Sequence, residues 1–310
     1  MEQHLADYLH LRRSLGHELR DAAWLLPGFV DYLDTQGISI VTIESALAWA
    51  QQPATDRVTT VGPRRMTAVR GFARYLSGIQ AGTEVPPLGL LPHRRRWRQP
   101  FIYSIADIDL LISQTKASIT SPLRAATYQT LIGLLAASGL RIGEAIKLDR
   151  DDIDWNEGVL LIRESKFGKT RLVPLTPSAT DALAAYADLR DDLQPRVNGP
   201  SLFVSLTRNR LCYQVVQSAF RELVDTAGIG AGAPSPPRLH DLRHTFAVRT
   251  LLAWYRDGDD VQARIPSLST YLGHREPSST YWYLSAAPEL LTLAASRQSA
   301  AWSATRSGDR

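Results

Sequence analysis

The chain has 310 residues, of which 44% are hydrophobic and 21% are charged, and its formal net charge is +4. This composition fits a globular protein of one large or two medium domains, and the modest positive excess suits a polyanionic partner. No apolar run approaches the roughly 20 residues of a membrane span, and the single cysteine, Cys212, excludes an internal disulfide framework, so we expect a cytoplasmic protein.

Residues 1–78 are predicted to form a small helical domain. Apolar residues recur at helical spacing in "DAAWLLPGFVDYLDTQG", and "TIESALAWAQQ" begins with a weakened capping box, Thr42-x-x-Ser45. The segment "GPRRMTAVRGFARYLSG" surrounds one apolar face with a basic rim, which also predicts a helix. The rim supplies candidates for contact with phosphate groups: Arg64, Arg65 and Arg70.

Residues 79–100 lose this periodicity and are predicted to be an interdomain linker. They contain glycine, paired proline and the run "HRRRWR". Basic residues beside an aromatic suit a segment that lies along a phosphate backbone, although a solvated loop explains the same charges. The further candidates for phosphate contact are Arg94, Arg95, Arg96 and Arg98.

Residues 101–296 are predicted to form a larger domain, mainly helical with one small antiparallel β-sheet. "IADIDLLISQTK" and "RAATYQTLIGLLAASG" have helical patterns, and helices return after residue 176. Between them, "GVLLIRESKFGKTRLVPL" places two β-rich runs around a turn, which indicates a hairpin. Residues 297–310 are predicted to be a flexible tail.

Four stretches of this larger domain carry polar residues suited to a phosphodiester: "SGLRIGEAIKL", "SKFGK", "HDLRHT" and "LGHREPSSTYWY". Arginine matches phosphate oxygens with a planar fork, and histidine titrates near neutral pH. A tyrosine hydroxyl can attack phosphorus when a neighbour takes its proton, and a lysine can protonate the leaving oxygen. Taken singly, each residue also has a structural explanation, such as a surface ion pair or a core tyrosine. The candidates are Arg141, Glu144, Lys166, His240, Arg243, His274 and Tyr283.

In order and wording, these stretches resemble the motifs of the tyrosine recombinase family, which includes phage integrases and Xer-like proteins. Residues 139–144 match "GLRxxE", and Lys166 precedes "RLVPL" in the hairpin. Residues 240–245 match "HxLRHT", and a tyrosine follows the histidine of "LGH" at a distance of nine residues. The sequence "STYWYLSAAPEL" is most similar to that of recombinases from mobile elements.

The resemblance implies a site-specific recombinase or integrase that cleaves and rejoins DNA without a metal ion or other cofactor. Tyr283 would form a 3′-phosphotyrosyl link, and Arg141 and Arg243, with His274, would hold the non-bridging oxygens. His240 would act in proton transfer at the tyrosine and Lys166 as the general acid. Glu144 would support the arginine site.

The resemblance also implies partners and a location. The substrate would be double-stranded DNA at the nucleoid, held with the help of the N-terminal helical domain. Self-association into a tetrameric synapse would use an amphipathic helix over residues 286–302, and other recombinases are a further class of partner.

Some choices have rivals within the chain. Tyr281 and Tyr271 compete with Tyr283 as the nucleophile, and on one helix Tyr281 and Tyr283 would point about 200° apart. Only Tyr283 has the family spacing. Lys169 competes with Lys166, which counting back from "RLVPL" favours.

Other classes of protein remain as alternatives. "HDLRH" has the spacing of a helical zinc site, but it lacks the expected glutamate and a third ligand. A catalytically idle DNA-binding relative that regulates recombination is a second alternative. A type IB topoisomerase, which uses similar chemistry, is a third.

Overall fold

The computed structural model describes residues 1–53, 61–91, 99–163, 170–274, 276, 278–286 and 290. The chain divides into two compact units, residues 1–97 and 98–310, so the division falls within the predicted linker. Among the helices of the described residues, none is long and apolar enough to span a membrane.

The N-terminal unit consists of helices in its described part, as the sequence predicts. They are α1 (Glu2–Ser14), α2 (Arg20–Thr35), α3 (Ile43–Gln51) and α4 (Val61–Leu76). Their apolar faces meet in one core, where Phe29 packs on Trp49 with ring centroids 5.1 Å apart and Tyr8 packs on Phe72 at 5.5 Å. Aromatic pairs at these separations stabilise a core beyond the area they bury.

The capping box of α3 is complete although serine replaces the usual glutamate. The amide of Ser45 donates to Oγ1 of Thr42 at 3.1 Å, and the amide of Thr42 donates to Oγ of Ser45 at 3.0 Å. Two amide groups at the helix start are thereby satisfied, which fixes where α3 begins.

Part of the segment predicted as a linker packs on the N-terminal unit. The amide of Glu84 donates to the carbonyl of Val41, and the Glu84 carboxylate accepts a bond from the amide of Ile43. Arg70 donates to the carbonyls of Pro86 and Pro87 at 2.8 and 2.9 Å. This half of the segment is therefore held by hydrogen bonds to the helices of its own unit.

The second unit is mainly helical with a small antiparallel sheet. Its helices are α5 (Ile105–Ser118), α6 (Pro122–Ser138), α7 (Ile142–Lys147), α8 (Pro177–Leu193), α9 (Tyr213–Thr226), α10 (Leu239–Arg256), α11 (Val261–Leu272) and α12 (Ser278–Ala286). Helix α6 is buried around much of its circumference, which explains its long apolar run.

The sheet has the order β1-β2-β3, with β1 at Ile153–Asp154, β2 at Val159–Ile162 and β3 at Arg171–Pro174. The antiparallel pair of β2 and β3 confirms the predicted hairpin, and the short β1 adds a third strand that the sequence analysis did not predict. Leu160 and Val173 pair directly and are both fully buried, so this register places the apolar side of the hairpin against the core.

Candidate active site

The site is built where α6, α10 and α11 meet the start of α7. Arg141 immediately precedes α7, and its backbone amide donates to Oε2 of Glu144 at 2.9 Å. Its side chain donates through Nη1 to Oε1 of Glu144 at 2.7 Å and through Nη2 to the carbonyl of Gly273 at 2.9 Å. The ion pair between Arg141 and the buried Glu144, three residues apart, therefore fixes the direction of the partly buried arginine side chain.

Arg243 is a fully buried side chain on α10. It donates through Nη1 to the carbonyl of Gly139 at 2.8 Å and through Nη2 to the carbonyl of Leu272 at 2.6 Å. Gly139 ends α6 at φ +62°, and a Cβ there would lie 2.5 Å from Cδ1 of Phe246. Only glycine fits this turn, which brings the acceptor carbonyl to the arginine.

The two arginines lie side by side because their acceptors, the carbonyls of Leu272 and Gly273, are consecutive. Burial, followed by the charge of Arg141, lowers the pKa of Arg243 to about 10. A guanidinium remains charged at such a pKa in neutral solution. The pair is thus a preformed concentration of positive charge.

A third arginine shares the carboxylate of Glu144. Arg171, the first residue of β3, donates through Nη1 and Nη2 to the two carboxylate oxygens at 3.1 and 2.9 Å. Burial acts to raise the pKa of Glu144, but hydrogen bonds and charges from Arg171 and Arg141 outweigh it and lower the pKa to about 2. The three guanidinium groups and this one carboxylate leave a surplus of two positive charges.

His274 follows the left-handed Gly273 that ends α11. Its Nδ1 lies 2.7 Å from Oγ1 of Thr280, which is fully buried on α12. This bond fixes the ring orientation and leaves Nε2 for another partner. Burial and, after it, the charges of Arg243 and Arg141 lower the pKa of His274 to about 4.

Tyr283 lies on α12 with only 2% of its surface exposed. Its ring stacks on that of His274, with centroids 6.1 Å apart and an interplanar angle of 20°. Burial raises the pKa of Tyr283, while the charge of Arg243 and a hydrogen bond from it act in the opposite direction. The hydroxyl group therefore lies beside the arginine pair.

The rival tyrosines lie elsewhere. Tyr281 is on the same helix but is 45% exposed, in accordance with the expected angular separation. Tyr271 stacks on Phe246, and its hydroxyl donates to the carbonyl of Pro174 at 3.3 Å. Both environments are those of packing or surface residues.

His240 reaches the tyrosine through a second histidine. Its ring meets that of His244 edge-on at 4.7 Å, and the His244 ring contacts Tyr283 at 5.5 Å and Trp282 at 5.3 Å. His240 is exposed by surface area, yet surrounding atoms desolvate its ring, and this effect and then the charge of Arg243 lower its pKa to about 4. Both histidines are neutral at neutral pH, since the pKa of His244 is lowered by burial, and next by His240, to about 3.

Other candidates for the site fall outside the described residues. These are Lys166, its rival Lys169, and the linker arginines Arg94, Arg95, Arg96 and Arg98. The expected helix over residues 286–302 is described only at residues 286 and 290.

The basic rim of α4 is described, and its arginines have partners within the N-terminal unit. Arg64 pairs with Asp21 at 2.8 Å, and Arg65 lies over the ring of Trp49 and donates to the carbonyl of Gln52. Arg70 donates hydrogen bonds to the carbonyls of Pro86 and Pro87. DNA contact by these arginines stays a prediction.

Sequence analysis missed Arg171 because its partner in the chain is distant, with Glu144 lying 27 residues earlier. Nor did the sequence indicate that Thr280 bonds to His274. In the part of the chain that the structure describes, no group of three histidine, cysteine or acidic side chains is placed to hold a metal ion.

Comparison with known proteins identifies the family of the chain. The model of the phage integrase family matches residues 107–289, which is more than half of the chain. The protein y4rB of Sinorhizobium fredii, described as an integrase/recombinase, is 40% identical over 97% of both chains. This chain belongs to the phage integrase family.

Members of the family are tyrosine recombinases, and the chain is accordingly an enzyme of site-specific DNA breaking and rejoining. Tyrosine recombinase XerD of Rhizobium meliloti is 33% identical over 71% of this chain and 68% of its own length. The fold is also that of solved recombinases. The XerA recombinase covers 96% of this chain and 98% of its own at 23% identity, with a TM-score of 0.51. A Tn1549 transposon integrase covers 91% and 93% at 15% identity, with a TM-score of 0.62.

Proposed function

We propose that Tyr283 is the nucleophile of this recombinase and that Arg141, Arg243 and His274 form a phosphate clamp, the name used below for these three residues. The observation that carries the proposal is the pair of guanidinium groups held on consecutive carbonyls, with the tyrosine hydroxyl beside Arg243. Two neighbouring like charges repel each other, and an anion bound between them offsets this repulsion. A phosphodiester has the charge and shape to fill that position.

The surplus of two positive charges matches the transition state better than the ground state. A phosphodiester carries one negative charge, whereas the pentacoordinate phosphorane formed on attack carries two. The clamp therefore stabilises the transition state more than it binds the substrate, which is the condition for catalysis.

The chemical steps follow from these positions. The Tyr283 oxygen attacks phosphorus, the bond to the 5′-oxygen breaks, and a 3′-phosphotyrosyl link forms. A 5′-hydroxyl of a partner strand reverses the reaction and releases the tyrosine. Lys166 protonates the leaving 5′-oxygen, a role supported by its place in the motif order.

His240 takes part in the transfer of the tyrosine proton, with the ring of His244 lying between it and Tyr283. His240 is neutral before DNA binds because its pKa is lowered to about 4. A bound phosphate places negative charge beside the clamp and so raises the pKa of the nearby histidines. DNA binding thus makes the histidine a better base at the moment when the tyrosine must lose its proton.

The substrate we propose is double-stranded DNA, bound by both units, with residues 1–78 as a core-binding domain and residues 79–100 as a basic linker at the backbone. Two structural relatives support this proposal: a Tn1549 transposon integrase in complex with transposon right end DNA, and a lambda integrase tetramer bound to a Holliday junction. By the same similarity we propose a tetrameric synapse, with residues 286–302 docking on a neighbouring protomer and the nucleoid as the place of action.

The test uses nicked suicide substrates cut from DNA that flanks the gene, incubated without metal and with EDTA. Wild type and Tyr281→Phe should form a protein–DNA adduct that resists SDS, and Tyr283→Phe should form none. Tyr281 is the matched control because it lies on the same helix with its side chain exposed. Specific DNA binding without an adduct in any variant would favour the idle DNA-binding alternative, and loss of the adduct in EDTA would favour a metal-dependent one.

A further inference from the structure

The end of α11 holds three arginines through three consecutive carbonyl groups. In chain order, the acceptors and their donors are Tyr271 with Arg171 at 2.8 Å, Leu272 with Arg243 at 2.6 Å and Gly273 with Arg141 at 2.9 Å. The last carbonyls of a helix have no partner within it and carry the negative end of its dipole, so cations are stabilised there. Two of these arginines belong to the phosphate clamp, and the third is Arg171.

Arg171 has all three of its side-chain nitrogens bonded to the protein itself. Its Nε donates to the carbonyl of Tyr271, and its Nη1 and Nη2 donate to the two carboxylate oxygens of Glu144 at 3.1 and 2.9 Å. Only 9% of the Arg171 side chain is exposed. Arg171 therefore acts on the reaction through the groups that it holds.

These groups include both acceptors of the Arg141 side chain. The first acceptor is Oε1 of Glu144, which accepts bonds from Arg141 at 2.7 Å and from Arg171 at 3.1 Å. The second is the carbonyl of Gly273, and the guanidinium of Arg171 packs against the backbone of that residue. A Cβ on Gly273 would lie 2.9 Å from Nη1 and 3.0 Å from Cζ of Arg171. Arg171 thus contacts both supports that fix the direction of Arg141.

We propose that Arg171 is a positioning residue that sets the direction of Arg141 in the phosphate clamp. This inference rests on the proposed function. A carboxylate held by one donor can turn about its last side-chain torsion, whereas a fork on both oxygens fixes its plane. With the Glu144 carboxylate fixed and Gly273 packed on Arg171, Arg141 makes both of its bonds in one direction only. A donor stabilises the charge that develops on a phosphate when it is in place before the reaction.

The alternative is that Arg171 only balances the charge of Glu144. A lysine would supply the same charge. Its ammonium group does not hold both carboxylate oxygens and the Tyr271 carbonyl in the planar arrangement that the arginine fork provides. Arg171→Lys is therefore the informative variant, since it keeps the charge and removes the fork.

Arg210→Lys is the matched control. Arg210 also joins a carboxylate to the end of a helix, because it donates to Oδ1 of Asp149 at 2.6 Å and to the carbonyl of Ile146 in α7 at 2.9 Å. Its contacts lie at the opposite end of α7 from Arg141. The control thus removes an arginine fork beside the same helix and leaves both supports of Arg141 in place.

The experiment compares an ordinary suicide substrate with one in which a methyl group replaces a non-bridging oxygen of the scissile phosphate. The methylphosphonate is used as the stereoisomer that the wild type cleaves faster. It is uncharged, so its transition state carries one negative charge where that of the phosphodiester carries two. On both substrates the Tyr283 hydroxyl loses its proton, its oxygen bonds to phosphorus, and the 5′-oxygen leaves and gains a proton. The methylphosphonate therefore differs in its need for the arginines and not in the bonds exchanged.

We expect Arg171→Lys to slow single-turnover cleavage of the ordinary substrate by about 10–100-fold, as small misplacements of catalytic groups do. On the methylphosphonate its rate should lie within about threefold of the wild-type rate, because less charge has to be stabilised. Arg141→Ala should depend on the substrate in the same way, and Arg210→Lys should match wild type on both. DNA affinity should be the same for Arg171→Lys and wild type, since the loss falls on the transition state.

An equal loss on both substrates would overturn the proposal, since a smaller amount of folded enzyme lowers both rates alike. So would full activity of Arg171→Lys on the ordinary substrate, or the same substrate-dependent defect in Arg210→Lys. Failure of the proposed function is a separate result, namely no adduct with the wild-type protein, an adduct that persists in Tyr283→Phe, or an Arg141→Ala variant that is slow on both substrates.

A second pair of variants keeps the test decisive if Arg171→Lys folds poorly. Gly273 and Gly228 have nearly the same backbone, with φ +67° and +66°, but a Cβ on Gly228 meets nothing within 4 Å among the described residues. Alanine at either position bears the same backbone strain, and only Gly273→Ala displaces the guanidinium of Arg171. Gly273→Ala should be slow on the ordinary substrate and close to wild type on the methylphosphonate, whereas Gly228→Ala should match wild type on both. Identical behaviour of the two alanine variants would overturn the proposal.

Discussion

Two regions of the second unit each bury an arginine in nearly the same way, yet they differ in what surrounds it. Arg190 on α8 is 4% exposed and donates through Nη1 to the carbonyls of Ser201 and Leu202 at 2.7 and 3.0 Å. Arg243 is 2% exposed and also donates to two backbone carbonyls. Arg190 in addition holds the carboxylate of Asp191 through Nε and Nη2 at 2.9 and 2.7 Å.

Arg243 has a second arginine where Arg190 has a carboxylate. The charge of Arg141 adds to burial in lowering the pKa of Arg243, so the protein holds this charge at an energetic disadvantage. An ion pair completed within the protein serves the fold. A buried cation beside another cation is suited to an anion supplied from outside, and on this difference we base the proposal that the two regions have different functions.

The largest expected effect comes from exchanging each arginine for methionine, which is similar in length and uncharged. Arg243→Met should lower the rate of adduct formation about 10²–10³-fold, because an oriented donor to the transition state is lost. Its free energy of unfolding should change by no more than about 1 kcal/mol, since relief of repulsion offsets the lost hydrogen bonds. Single-turnover cleavage and urea unfolding measure the two quantities.

Arg190→Met is the matched control and should show the opposite pattern. Its free energy of unfolding should fall by about 2–3 kcal/mol, because two buried carbonyls lose their donor and Asp191 keeps only its bond from Arg150. The folded fraction should still cleave DNA at the wild-type rate. If both variants lost the same property, the distinction between a structural and a catalytic arginine would be wrong.

The contrast between these regions also shows what sequence could predict. The four motifs led to Arg141, Arg243, His274 and Tyr283, and the structure brings these residues together. Local rules also predicted the capping of α3 and the β2–β3 hairpin, because both depend on neighbouring residues.

What the sequence could not show depends on contacts between distant residues. Nothing near Arg171 in the chain indicates that it binds Glu144, 27 residues away. The same holds for the basic rim of α4, where the pattern suggested exposed cations. Arg64 is exposed but also pairs with Asp21, 43 residues earlier, and the helical period alone does not reveal such a partner.

A smaller effect is expected from pH, and it concerns the histidines of the active site. The pKa values of His240, His244 and His274 lie at about 4, 3 and 4, below the ordinary 6.5. Between pH 6.5 and these values the unfolded chain binds protons that the folded chain does not, so stability falls as the pH falls. Urea unfolding at pH 7 and pH 5 should show this loss, of which His244 contributes on the order of 1–2 kcal/mol.

His244→Phe tests this assignment because a phenyl ring can keep the contacts with Trp282 and Tyr283. The buried Nδ1 of His244 has no hydrogen-bond partner in the part of the chain that the structure describes, so its removal breaks no known bond. The variant should lose less stability than wild type between pH 7 and pH 5. An unchanged difference would show that the acid sensitivity arises elsewhere.

The smallest expected effect is the binding of a simple anion to the free enzyme. Sulfate resembles a phosphodiester in shape, and binding to the folded state alone stabilises it by about 0.4 kcal/mol when the sulfate concentration equals its dissociation constant. For a unit of this size that is a rise in Tm of about 1–2 °C, measured against sodium chloride at equal ionic strength.

Sulfate also strengthens apolar burial in any protein, so the comparison between two variants is needed to show binding at the arginine pair. Arg190→Met should keep the full rise, because its arginine is already paired within the protein, whereas Arg243→Met should keep only the general part. Equal rises in the two variants would mean that the arginine pair does not attract an anion before DNA arrives, and that its charge acts only once the substrate is bound.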